Sequence, residues 1–226
     1  MNKSIEIIEV AGLFKSFHDG EKELAVLKDL DLKVASGEFV SITGRSGSGK
    51  STLLYQLGLL DRPDAGSIKI NGVAVLELSP IEQTRFRLGE LGYVFQDYAL
   101  LPELSALENV VLPLLMQGVP ARPAGQLAAQ ALDRLSLDDK HDNLPSKLSG
   151  GEQQRVAIAR AIGHNPKVIF ADEPTANLDS DTAQVVLASF LELHRQGQTI
   201  VMVTHEPEYA ALTDRVLHLT DGAIAY

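Results

Sequence analysis

Gly44-Arg45-Ser46-Gly47-Ser48-Gly49-Lys50-Ser51 reads G-x-x-x-x-G-K-S, set between an apolar run, Phe39-Val40-Ser41-Ile42-Thr43, and a helical pattern carrying Leu53, Leu54 and Leu57. Strand, glycine-rich loop and helix in that order aim a curled backbone and the positive end of a helix at one point, which is how phosphate groups are held. Gly44, Gly47 and Gly49 let the chain curl round an anion, and Arg45, Ser46, Ser48 and Thr52 complete the candidate cradle. Lys50 has the reach for β- and γ-phosphates, and the Ser51 hydroxyl suits Mg²⁺, a hard cation that takes oxygen donors and shares the nucleotide's phosphates. A loop that merely turned the chain would have no need of Lys-Ser behind its last glycine. The stretch predicts a nucleoside triphosphate site.

The 226 residues, 45% of them hydrophobic, suffice for one large domain with a sizeable core. The longest uncharged apolar run, Val110 to Met116, is far short of the roughly 20 residues of a membrane span, and no signal-like stretch is seen at the N-terminus. With no cysteine there is no disulfide or thiolate site, and the expected compartment is the cytoplasm. A net charge of −10, from 20 Lys and Arg against 30 Asp and Glu, argues against a duplex-binding surface, so no nucleic-acid partner is expected.

Ahead of the loop, Ile5 to Val10 is β-rich and Leu30-Asp31-Leu32-Lys33-Val34 alternates, predicting half-exposed antiparallel strands. Phe17 lies just after the first of these, and either packs in the core or offers a ring to a nucleotide base. Arg62 to Gly66 is turn chemistry, and Ser67 to Ile70 with Asn71-Gly72 predicts a hairpin. Leu91 to Phe95 is a strand delivering Gln96, a polar residue at a carboxyl end where α/β sheets bind ligands. It either meets the metal or the attacking water, or caps the strand.

From Leu100 to about Leu148 the texture is helical. Leu107, Val110, Val111, Leu114 and Leu115 repeat at helical spacing, as do Leu127, Ala128, Ala131, Leu132 and Leu135, with Pro120, Pro123 and Gly118 between them. These residues predict a helical subdomain, about 98–164, inserted in a core of 1–97 and 165–226. Leu148-Ser149-Gly150-Gly151-Glu152-Gln153 then opens a helix with Ser149 and Glu152 at capping-box spacing. Two glycines in a first turn each cost about 1 kcal/mol, so they imply close backbone approach and, with the helix end, a second anion site.

Val168 to Ala171 predicts a buried strand ending in Asp172 and Glu173. Asp172 is placed to hold Mg²⁺ and Glu173 to act as base toward a water. Asp179 is available to cap the following helix, Ser180 to Gln196, so these two acids are not needed for that. A second buried strand, Thr199 to Thr204, delivers His205, suited to a γ-phosphate or the water. A hairpin, Val216 to Thr220 with Ala223 to Tyr226, closes the chain.

Together these residues resemble the nucleotide-binding subunit of an ATP-binding cassette (ABC) transporter, over essentially the whole chain. The family signature stands as Leu148 to Gln153. The resemblance implies an α/β P-loop NTPase core with an antiparallel β subdomain and an inserted helical subdomain. It makes Gly44 to Ser51 the Walker A loop, Asp172 the Walker B aspartate and Glu173 the catalytic glutamate. Gln96 matches the Q-loop, Asp179 the D-loop, His205 the switch histidine and Phe17 the base-stacking aromatic, more often Tyr. The stretches Gly58 to Pro63, Gln96 to Leu115 and Ala176 to Asp179 look most like the lipoprotein-releasing and macrolide-export type.

What the resemblance implies is ATP and Mg²⁺ as cofactors and a second ATP-binding subunit, a copy of this chain. It further implies a membrane permease docked near Gln96 to Val111, at the cytoplasmic face. The chain has no internal repeat to supply a second set of motifs, so a head-to-tail pair would place each Ser149-Gly150-Gly151 end against ATP held by the partner. The competing expectation is a soluble ABC ATPase without a permease, which usually carries coiled-coil insertions or two cassettes. A P-loop GTPase would need an N-K-x-D tetrapeptide, which is missing here.

Overall fold

A computed structural model describes residues 5–20 and 22–225. Residues 1–4, 21 and 226 lie outside the described residues, and with them Tyr226 of the expected closing strand and the ends of the expected 1–226 domain. Two compact units emerge, Met1–Thr84 with Gly197–Tyr226, and Arg85–Gln196.

The first unit holds two sheets. Strands β1 (Glu6–Asp19), β2 (Lys22–Ala35), β4 (Ala65–Ile70) and β5 (Val73–Ala74) form one, in the order β2-β1-β4-β5 and antiparallel throughout. The pairing of β1 with β2 carries several register shifts, so the in-out alternation resets along it. In the second sheet β3 (Phe39–Thr43) lies parallel to β8 (Thr199–Val203) and β9 (Arg215–Thr220), with β10 (Ala223–Ala225) antiparallel at the edge. β3 and β8 are apolar and buried almost end to end, as expected of strands covered on both faces. Helix α1 (Lys50–Leu57) buries Leu53, Leu54 and Leu57.

In the second unit β6 (Leu91–Val94) pairs parallel to β7 (Val168–Asp172). Helices α3 (Ala106–Met116), α4 (Ala121–Asp133) and α5 (Gly150–Ile162) pack on one another, with a single 3₁₀ turn at Pro145–Lys147 before α5. These helices occupy the stretch of helical texture at 98–164. The unit is larger because α5 also packs on β6 and on α6 (Ser180–Arg195). Its core includes Val94, Val110, Leu132, Ile158, Phe170 and Phe190.

Two elements have no counterpart in the sequence reading: α2 (Pro80–Glu90), within which the unit boundary falls, and the single turn α7 (Pro207–Ala210). For α2 a local signal was present, since Ser79 and Glu82 have capping-box spacing. Glu82 Oε2 accepts from the Ser79 amide at 2.9 Å, and the Glu82 amide donates back to Ser79 Oγ at 3.4 Å. Among the described residues no helix is long and apolar enough to cross a membrane.

Candidate nucleotide site

The phosphate loop leaves β3 at Gly44 and enters α1 at Lys50. Gly49, the N-cap, sits at φ 100° with no side-chain cap, so the first amides of α1 face the loop. A Cβ on Gly44 would stand 2.3 Å from the Leu219 carbonyl oxygen and one on Gly49 2.9 Å from that of Val26, so neither position accepts another residue. Gly47, by contrast, has no atom within 4 Å of such a Cβ. The Lys50 side chain is folded over the loop, 7% exposed, its Nζ donating to the carbonyls of Gly44 and Arg45, each at 3.1 Å. Ser48 Oγ is buried without a hydrogen-bond partner. An open rim, a fixed ammonium and an orphaned hydroxyl are the features a polyphosphate would satisfy. Ser51 and Thr52 follow on the first turn of α1, half-buried.

His205 follows the buried end of β8. Together with Gly44 and Arg45 it lines a cleft of about 470 Å³ in this unit, closed on its apolar side by Pro207, Ala210, Ala211 and Val216. Its Nε2 lies 3.1 Å from Glu206 Oε1. Phe17 is not a core residue: it is 45% exposed on β1, with Lys15 Nζ 5.2 Å from its ring centroid. It pairs with Leu24 on β2, the strand whose Val26 packs against Gly49. The burial alternative for Phe17 therefore falls, and the ring is available to stack.

In the second unit Asp172 closes β7 and is buried, while Glu173 turns away at φ 43°, a left-handed conformation that costs a non-glycine residue about 1–2 kcal/mol. Gln96 is exposed beyond β6, and its backbone carbonyl accepts from Asn177 Nδ2 at 3.1 Å. Among the described residues no cluster of three acids or histidines could hold a metal by itself.

The signature helix α5 opens with a complete capping box: Ser149 Oγ accepts from the Glu152 amide at 3.3 Å, and Glu152 Oε2 from the Ser149 amide at 2.7 Å. The helix end is therefore not bare, and the amides of Gly150 and Gly151 are the ones without a partner in the helix. Both glycines are also demanded from within the chain. A Cβ on Gly151 would stand 2.1 Å from Thr182 Cγ2, and one on Gly150 2.9 Å from the Tyr98 hydroxyl. Packing within the chain is thus a second reason for the two glycines, beside the close approach of a ligand, and one the spacing did not reveal. Ser149, Gly151, Glu152 and Arg155 face Asp181, Thr182 and Val185 across a groove of about 270 Å³.

Asp179 caps α6, its carboxylate accepting from the Thr182 amide at 3.0 Å and hydroxyl at 2.7 Å. The Thr182 amide holds the Asp179 carboxyl below its ordinary range, as the Ser149 amide does for Glu152. Both caps are thus charged at neutral pH, and their contribution fades as pH falls through those lowered values.

Each unit thus carries one of the two helix starts described, α1 in the first and α5 in the second. The ABC transporter family profile matches residues 27–176. The chain belongs to the ABC transporter family. Within it, the lipoprotein-releasing system ATP-binding protein LolD of Aquifex aeolicus is 51% identical over 199 residues, covering 88% of this chain and 89% of that one. The macrolide export ATP-binding/permease protein MacB of Hahella chejuensis is 46% identical over 218 residues, 96% of this chain, which spans 33% of that relative's length. In three dimensions the chain superposes on the dimeric ATP-binding cassette MJ0796, in a post-hydrolysis state bound to ADP and Pi, with a TM-score of 0.89, 38% identity and 97% of each chain covered. This ABC chain is an ATPase of the α/β cassette fold.

Proposed function

We propose that this ABC ATPase drives a membrane permease in export, lipoprotein release or mechanotransmission from the cytoplasmic face. Two copies would close head to tail around two ATP molecules. The observation that carries this is a pair of half-sites in different units: a phosphate loop with a caged Lys50, and a signature groove at the start of α5. A second copy would supply each half-site with its complement. Arg45, Ser46, Gly47, Ser48 and Thr52 cradle the phosphates, Lys50 neutralises them, and Phe17 stacks on the base. Ser51, Asp172 and Gln96 would hold Mg²⁺, which when bound offsets charge on the β- and γ-phosphates. Glu173 accepts the proton of the attacking water and His205 bonds the γ-phosphate. Ser149, Gly150, Gly151 and Asp179 complete the partner's site. Loss of the γ-phosphate removes the bond between the two copies and lets them part, which is the work available to the permease.

The permease would dock on the surface from Gln96 to Val111. Leu101 there is 44% exposed, yet its backbone is held rigidly. The fully buried Asn109 accepts the Leu101 amide at 2.8 Å and donates to the carbonyls of Leu101, Leu104 and Ser105 at 3.0–3.1 Å. An exposed leucine on an over-determined loop supports docking. Leu101→Glu should therefore keep the melting temperature and the basal Mg²⁺-dependent ATPase of the isolated chain, while losing co-purification with the permease and its stimulation of hydrolysis. A well-folded variant that still binds and responds would remove this docking surface.

A further inference from the structure

Between β6 and α3 the chain has no regular structure from Phe95 to Leu104, but four carbonyls between Phe95 and Ala99 are held by side chains of the same unit. Gln154, buried in α5, donates from Nε2 to the Phe95 carbonyl at 3.3 Å, and Asn177 takes that of Gln96. The last two are taken by one residue, Arg160, two turns further along α5. Its Nη2 donates to the Tyr98 carbonyl at 2.9 Å and its Nη1 to that of Ala99. Tyr98 and Ala99 are consecutive left-handed residues, at φ 63° and 49°, neither of them glycine. That pair is unfavourable by itself and persists only where its surroundings impose it. Burial works against the Arg160 charge and the neighbouring Asp97 carboxylate favours it, so the guanidinium is held in place at some expense. At the other end of the same helix the Tyr98 hydroxyl lies against Gly150. Tyr98 thus lies along α5, its ring at the signature end and its backbone gripped by Arg160.

We infer that Arg160 is a positioning residue that locks the Gln96–Leu101 segment to the signature helix, so that closure sensed at Gly150–Gly151 reaches the permease-facing loop within one unit. A planar fork holds two adjacent carbonyls in a fixed geometry, each from its own nitrogen; a lysine ammonium on its flexible stem imposes no such geometry. By linkage the coupling runs both ways, so what holds the loop also biases the signature helix. The functional meaning rests on the docking proposal, but the coupling itself does not, and its test needs no permease.

The test is amide hydrogen exchange on Glu173→Gln chains, expected to hold ATP with little turnover, with and without Mg-ATP. Addition of Mg-ATP should slow exchange both at Gly150–Gln153 and at Tyr98–Leu101. With Arg160→Met added, slowing should persist at Gly150–Gln153 and be lost at Tyr98–Leu101. An unchanged response at Tyr98–Leu101, or none there before the substitution, overturns the inference. Loss at both ends overturns it too, since Arg160 would then support the helix itself rather than link it. If Arg160→Met does not accumulate as folded protein, Arg160→Lys decides: the slowing at Tyr98–Leu101 should shrink, and a full response refutes the fork. Failure of docking would show separately, in the Leu101→Glu co-purification.

Discussion

Glu173→Gln should hydrolyse ATP ~10² to 10⁴ times more slowly than the parent chain while binding it normally, the usual range for loss of a general base. The substitution changes almost no volume and removes only the ability to take a proton. It also leaves in place the left-handed backbone, at φ 43°, on which the side chain stands. With hydrolysis blocked, the ATP-bound pair should accumulate, appearing in size-exclusion chromatography as a dimer that depends on Mg-ATP. Near-normal turnover would move the base elsewhere, with His205 first in line because it shares a cleft with Gly44 and Arg45.

Lys50→Ala and Ser149→Arg should both abolish hydrolysis, for different reasons. Lys50 Nζ is already placed over the loop, bonded to the Gly44 and Arg45 carbonyls, so its loss removes the charge that receives the phosphates. Nucleotide binding by the monomer should disappear, as read by equilibrium titration with a fluorescent ATP analogue. Ser149 lies in the other unit and lines the signature groove. An arginine there would fill the groove and remove the cap, costing about 1 kcal/mol of stability, while every residue of the phosphate loop stays as it is. Binding should persist while the ATP-dependent dimer is lost. Equal loss of binding in both variants would place the signature at its own chain's phosphates and contradict the head-to-tail arrangement.

What the sequence disclosed follows from how local the cause is. The phosphate loop, the Ser149–Glu152 box and the Asp179 cap are each written within eight residues, and each is found at the position its spacing predicts. Phe17 was ambiguous because β1 shifts register against β2 at several points, so alternation does not tell which face a residue takes. The glycines of α5 were read as space for a ligand, since Thr182 and Tyr98, which also require them, are distant in the chain. Arg160, Gln154 and Asn177 had no local signature at all. Their bonds to the 95–99 carbonyls span about sixty to eighty residues, and polar side chains in helical or loop positions normally read as solvated surface.

The composite site is tested by the rate of Mg-ATP hydrolysis as a function of the concentration of the purified chain. If each active site is assembled from the phosphate loop of one copy and the signature end of another, specific activity should rise with concentration and fall toward zero on dilution to monomer. A rate strictly proportional to protein concentration, down to a dilution at which the chain is demonstrably monomeric, would mean that one chain hydrolyses ATP unaided and would contradict it.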